Sequence, residues 1–310
     1  MRLKRGVPLV AAAGLALAFA GVGAAAAPAA GPFVCSGSFH NPGLLKGTYR
    51  HGVVVRGVCA VKTGKAHVIG TLLVTKGSAL GAVFGAHHSS LTVTGNLVVG
   101  KGGAAFVGCK ANPDGTGMPC LDDPNMKHPT LTSHAVVSGS IVENSPLGVI
   151  VHNSSIGRNL KETGGGGGLS CKPPKSGIFA AIKSPVFSDL EDSTVGGNVT
   201  LSGLKSCWTG LARDKIGGNL TINNNTMADP DAIEILANSI AKNLSCSGNS
   251  HPSAASPPGA QPVWNSADIS PAGTLYPRGA EPNTVSGTRS GQCVLASPAT
   301  PGGALGPGPF

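Results

Sequence analysis

One short pattern recurs along this chain and limits what it can fold into. It is a β-branched residue, a spacer, usually Gly, a polar residue that is usually Asn, then a short apolar alternation. The copies are Val68-Ile69-Gly70-Thr71-Leu72-Leu73-Val74, Val93-Thr94-Gly95-Asn96-Leu97-Val98-Val99, Val137-Ser138-Gly139-Ser140-Ile141 and Ile156-Gly157-Arg158-Asn159-Leu160. Three more follow: Val195-Gly196-Gly197-Asn198-Val199-Thr200-Leu201, Ile216-Gly217-Gly218-Asn219-Leu220-Thr221-Ile222 and Ile240-Ala241-Lys242-Asn243-Leu244-Ser245-Cys246. With Gly70, Gly95, Gly139, Arg158, Gly197, Gly218 and Lys242 as anchors, the steps are 25, 44, 19, 39, 21 and 24 residues. The two long steps are close to double the short ones. A unit of about 22 residues is expected, with two degenerate copies inside the long gaps.

Helical repeats are longer and need apolar residues spaced for one helix face. Only the segment Asp231 to Asn243 has a helix-like pattern, and a copy of the repeat overlaps its end. Period-2 runs of β-branched residues broken by Gly and Asn describe instead one coil of a β-solenoid, an all-β fold whose parallel strands stack on their neighbours. Asn96, Asn159, Asn198, Asn219 and Asn243 share one place in the unit. In register, their amides are expected to form a ladder at a tight inward corner, hydrogen-bonding to the copies above and below. The adjacent Gly allows a positive φ or a close backbone approach. The alternative is a hairpin turn in an antiparallel sandwich, but such turns favour Asn before Gly, and here Gly comes first.

Charged residues are 12% and aromatics 4% of the 310 residues, with 47 Gly and 24 Pro. That leaves too little charge for the outer faces of a helical bundle. Residues 1–30 read as a secretory signal peptide: Arg2, Lys4 and Arg5, an apolar run from Val7 to about Ala20, then small residues with A-x-A sites. Its removal lowers the formal charge from +9 to +6, and the remaining cations are scattered rather than clustered as nucleic-acid binding requires. No membrane span is expected in the mature chain; weak attraction to an anionic cell envelope or extracellular polysaccharide is. The eight cysteines, Cys35, Cys59, Cys109, Cys120, Cys171, Cys207, Cys246 and Cys293, suggest disulfides in an exported protein. They allow about a hundred pairings, among which sequence cannot choose; near-neighbour stapling is the simplest. C-x-x-C is absent.

The repeats resemble those of uncharacterised secreted proteins of high-GC actinobacteria. So do the cysteines, the run Asp231-Ala232-Ile233-Glu234-Ile235 with Asn238-Ser239-Ile240 and Asn243-Leu244-Ser245-Cys246, and the closing Asn283-Thr284-Val285-Ser286-Gly287…Gly291-Gln292-Cys293. The resemblance spans residues 35 to 293 and implies a right-handed parallel β-helix and an export route, with no activity attached. A weaker likeness, in fold only, is to pectate-lyase-type β-helices. The expected organisation is an N-terminal cap at 31–46, a disulfide-stapled solenoid at 47–248, an irregular strap at 249–293 and a disordered tail at 294–310. Lys110 to Pro129 and the five glycines Gly164 to Gly168 read as excursions from the solenoid, where binding sites tend to lie.

Chemistry is sparse. G-x-S-x-G, H-E-x-x-H and the P-loop are all missing, and no cofactor is expected. Asp189, Glu191 and Asp192 precede the Gly197 anchor, and Asp214 precedes Gly218. Adjacent coils could pair Asp192 with Asp214 at glycosidase spacing, although their register is off by one. Asp229, Asp231 and Glu234 form a second acidic group, weighed as Ca²⁺ ligands against a turn role. The reading is a secreted, non-catalytic structural or surface-interaction protein. The alternative is a carbohydrate-active lyase or hydrolase using Asp192 and Asp214, and a third reading is a self-assembling fibre.

Overall fold

Short aliphatic alternations punctuated by Gly can bury one face only against copies of themselves, and that is how the strands pair. A computed structural model describes residues 31–82, 88–112, 117–228, 233–250 and 283–294, and the backbone of 263–265. Residues 1–30, expected as a signal peptide, Asp229 and Asp231, and residues 295–310 lie outside the described residues. The fold is all-β, with one four-residue helix, Ile178–Ala181, among the described residues. Residues 233–243, the helix-like stretch, instead hold strands Ile233–Leu236 and Ser239–Ile240.

Three parallel sheets, here A, B and C, take strands from each unit in turn. In sheet A, Val53, Leu72, Leu97, Ile141, Leu160, Val199, Leu220 and Leu244 are register partners in succession. All are buried. Sheet C stacks Val68, Val93, Val137, Ile156, Val195, Ile216 and Ile240 in the same way. In sheet B, strands Gly148–His152, Phe187–Glu191 and Trp208–Ala212 are buried at every residue, so both faces are covered. The nine-residue strand Val53–Val61 pairs in both A and B and joins them into one 18-stranded sheet.

The long steps hide no further copies. Leu97 pairs directly with Ile141, and Leu160 with Val199. The extra residues leave the sheets as excursions. One contains the antiparallel pair Cys109–Ala111 with Gly117–Met118, closed by the Cys109–Cys120 disulfide. The other carries Ile178–Ala181 and is tied down by Cys171–Cys207. Its Phe179 packs edge-on against Phe106 and Phe187, and Phe187 stacks on Trp208. Those rings cover part of the outer face of sheet B. Disulfides Cys35–Cys59 and Cys246–Cys293 secure the two ends of the regular region.

Regular pairing also reaches further than the repeat pattern. Phe33–Gly37 and Gly43–Leu44, read as a cap, pair in parallel with later strands of sheets A and B, and Gly47–Tyr49, at the start of the expected solenoid, pairs in sheet C. Val263–Asn265, Thr284–Val285 and Arg289–Gly291, read as an irregular strap, extend B, C and A. A terminal strand has a neighbour on one side only, so its sequence is freed from half of the stacking rules and the pattern fades there.

The recurring asparagines stack by a different bond from the one expected. Their side chains are exposed or half-exposed, not inward. Asn159 Oδ1 accepts the backbone N–H of Asn198, Asn198 Oδ1 that of Asn219, Asn219 Oδ1 that of Asn243 and Asn243 Oδ1 that of Thr288. Asn96 Oδ1 does the same for Ser140. An amide-to-amide bond accompanies only one of these steps, Asn219 Nδ2 to Asn198 Oδ1. The neighbouring Gly is needed for clearance: a Cβ at Gly139, Gly197, Gly218 or Gly287 would collide with the Asn Oδ1 one unit earlier. Arg158 stands in the Gly place where the preceding unit has the shorter Ser140, whose Oγ accepts the Asn159 N–H. Lys242 stands there above Asn219, and the bond lengthens to 3.1 Å from the 2.8 Å seen between Asn198 and Asn219.

Two buried ladders had no such repeat to announce them. Asn225 Nδ2 donates to Asn249 Oδ1, and Asn249 Nδ2 to Gln292 Oε1. Asp214, Asn238 and Asn283 form the other: each accepts the backbone N–H of the unit before, from Ser193, Asp214 and Asn238 in turn. These are the inward polar corners, and every carboxamide in them is satisfied.

Gly218→Ala should destabilise the protein by about 1–3 kcal/mol in urea unfolding. Because its Cβ would meet both Asn198 Oδ1 and the Gly197 carbonyl, part of that cost should vanish in an Asn198→Ser background. Equal cost in both backgrounds would assign the glycine requirement to the carbonyl alone.

Candidate functional site

The densest group of ionisable side chains lies on the outer face of sheet B. Strand alternation places Asp189 and Glu191 on one face of Phe187–Glu191, and His152 ends the neighbouring strand as the register partner of Glu191. The two carboxylates therefore bracket one imidazole: His152 Nε2 is 3.1 Å from Asp189 Oδ1 and Nδ1 is 3.8 Å from Glu191 Oε2. The next corner adds Arg213, whose Nη2 lies 2.6 Å from Glu191 Oε2 and whose Nε donates to Asp192 Oδ1 at 2.9 Å. Asn112, from the first excursion, donates to Asp192 Oδ2. Asp192 and Arg213 are both left-handed, at φ 50° and 59°, which turns their side chains back across the strand ends.

The electrostatics follow from burial and pairing. Burial alone would lower the His152 pKa, but Asp189 and Glu191 outweigh it and hold the ring protonated to about 9. Burial raises Glu191 to about 7, against the pull of His152 and Arg213. Asp192 is partly buried, yet Arg213 and Asn112 bring it below the ordinary carboxylate range. The donor atoms of His152, Asp189 and Glu191 lie within 4.8 Å of one another, a spacing that could hold a metal ion. The set fits one poorly. A cation there would have to displace the imidazolium proton and compete with Arg213 for Glu191.

The structure gives Asp192 and Asp214 separate partners. Asp192 belongs to the Arg213 corner. Asp214 is 1% exposed and occupies an asparagine's place in the buried ladder, its Oδ1 accepting the Ser193 N–H. Burial pushes its pKa well up, against the Ser193 N–H that its Oδ1 accepts, and the charges of Glu191 and Asp192 add to the rise. Of the second acidic group, Glu234 is buried on the outer face of sheet B in register with Gly210.

Another pair escaped sequence reasoning. Glu143 and Glu162 are register partners inside the sheet A column that otherwise reads Val74, Val99, Leu201 and Ile222. Both are buried, and Ser188 Oγ donates to Glu162 Oε1 at 2.8 Å. Burial first, then the charge of its partner, raises Glu143, which keeps its proton and donates it to Glu162. Burial raises Glu162 to about 8. The visible signal was glutamate at two positions where the alternation calls for an aliphatic residue.

No family model, no curated protein and no solved structure matches this chain.

These raised values set the pH dependence. Glu143, Glu162, Glu191 and Asp214 bind protons more tightly folded than unfolded, so their contribution falls as pH rises above the usual carboxylate range, through about 8 for Glu162. His152 adds stability that is complete below 6.5 and is lost as pH climbs through about 9. Asp192, shifted down, works oppositely and loses its contribution in acid. Stability should therefore peak at about pH 4, where the rising loss from the raised carboxyls meets the gain from Asp192, and drop by several kcal/mol by about pH 9, at about 1.4 kcal/mol per unit spanned by one group. Thermal melts across that range check it. Asp214→Asn should raise the melting temperature at pH 8 by several degrees and leave it nearly unchanged at pH 4.

Proposed function

We propose that this chain is an exported, non-catalytic structural or surface-interaction protein, built as a closed right-handed parallel β-helix. Parallel partners 21 and 24 residues apart support coils of about 22 residues with longer excursions. The strong right-handed preference of parallel crossovers supports the hand. The apolar leader, the four disulfides and the resemblance to secreted actinobacterial proteins support export.

One observation carries the non-catalytic reading. The acid–base groups of the outer face are spent on one another. The side chains of Asp189 and Glu191 are 4% and 6% exposed, and those of Asp192 and Arg213 are 10% and 18%. A glycosidase or lyase needs a carboxylate or base open to a sugar ring. Here Asp189, Glu191, Asp192 and Asp214 are closed by His152, Arg213, Asn112 or a ladder N–H.

The full chain, screened against neutral and anionic polysaccharides, should release no reducing ends or unsaturated products. It should also be recovered from the culture medium rather than the cytoplasm. Turnover that Asp192→Ala or Glu191→Gln abolishes, with the fold intact by circular dichroism, would replace this reading with a carbohydrate-active enzyme.

A further inference from the structure

Nearer the N-terminal end, the outer face of sheet B opens into a groove of about 340 Å³. Its floor is the row Ala60, Gly81 and Phe106, which are register partners across three strands. Phe39, Pro42, Leu121, the helix residue Ile178 and Ile182, just past the helix, also line it. Phe39 and Leu121 are 43% and 49% exposed, which is unusual for large apolar side chains beside a formed cavity. The size is that of small-molecule sites.

Gly81 is the informative residue. A glycine inside a strand loses packing and chain entropy, and commonly marks a place where something else approaches closely. Gly139 and Gly218 have a neighbour's atoms where a Cβ would go, and Gly102 and Gly203 have positive φ. Gly81 has neither: its φ is not positive, and no described atom lies within 4 Å of a Cβ built there. Among the described residues, nothing requires glycine at this position. What its absent side chain preserves is the open groove.

The lining decides the occupant. Saccharides need converging hydrogen-bond donors and acceptors, whereas the side chains here are aliphatic or aromatic, apart from His40 and Lys62. Both of those are exposed, and no Asp or Glu is among the described lining residues. An apolar trough with a cationic residue at its mouth suits an alkyl chain carrying a negative head.

We propose that this groove binds a single-chain amphiphile with an anionic head group, the chain lying across Gly81 and the head meeting Lys62. The site is independent of the His152 cluster, so it stands whether or not that cluster is catalytic.

The test is calorimetric titration of the lipid-stripped full chain with dodecanoate, kept below its micelle concentration. Saturation at one per chain is expected. Gly81→Leu should weaken binding at least tenfold with an unchanged circular-dichroism spectrum and no loss of melting temperature. Leu121→Asp, on an exposed rim residue, should do the same if Gly81→Leu proves unstable. Lys62→Gln should weaken dodecanoate several-fold, and dodecyltrimethylammonium should bind the wild type more weakly than dodecanoate. The proposal is overturned by the absence of saturable dodecanoate binding, by undiminished binding in folded Gly81→Leu or Leu121→Asp, by equal affinity for the cationic amphiphile, or by preference for an oligosaccharide.

Discussion

The bond from a backbone N–H to the asparagine oxygen of the preceding unit is the constraint from which the rest of the structure follows. In the units that carry the asparagine it ties one residue to the same residue of the next, so the chain must return to that corner in register whatever it does between. Asn159 and Asn198 are 39 residues apart and Asn198 and Asn219 are 21 apart, yet the bond is 2.8 Å in both cases. Once the corner is fixed, the strand after it can only continue the column below, and Leu160, Val199 and Leu220 fall on one another. Added length is expelled sideways. Excursions can therefore be long and chemically varied without disturbing the core, and the two largest both supply walls to the outer face of sheet B.

How much of this could be seen in the linear chain depends on whether a residue repeats. The parallel sheets were legible because Val195-Gly196-Gly197-Asn198 and Ile216-Gly217-Gly218-Asn219 are nearly the same words. Four disulfides join neighbouring cysteines, the simplest of the pairings considered. The long steps were misread because spacing alone does not distinguish a worn copy from an excursion; pairing does. The site was less visible still. His152, Asp189 and Arg213 come from three strands or corners, and nothing local marks His152 as the partner of residues 37 and 39 positions away. Glu143 and Glu162 were passed over for the opposite reason: the alternation places them inward with Val99 and Leu201, but a glutamate is ordinarily read as a surface residue.

Buried charge in this fold is handled in two ways, and the difference is geometric. On the outer face of sheet B, successive units offer side chains of opposite sign at hydrogen-bonding distance, so Asp192 stays ionised beside Arg213 and His152 stays charged between its carboxylates. Inside the sheet A column no cation reaches, and Glu143 holds its proton instead. Desolvation thus selects neutralisation by pairing where the stack brings in a base, and by protonation where it brings in only another acid. Asp214 is the intermediate case: the Ser193 N–H donates to one oxygen, but burial, then the charges of Glu191 and Asp192, still raise its pKa. Burial raises Glu143, Glu162, Glu191 and Asp214 alike, so those four titrations press stability in one direction with pH.

Glycine placement extends that logic to the surface. In a stack of near-identical units, any residue that departs from its column must answer to something outside the column. Gly139 and Gly218 answer to the asparagine below, Gly148 to Phe179, whose ring occupies the space a side chain would need. Gly81 lies between Ala60 and Phe106 and answers to no atom described in the chain. A Val or Thr there would favour the strand and fill the groove. Keeping the space open costs strand stability and leaves an apolar trough in contact with water, a double penalty that the fold itself does not repay. An apolar guest removes the second part of that penalty on binding, and the cationic side chain of Lys62 at the groove's edge selects the sign of its head.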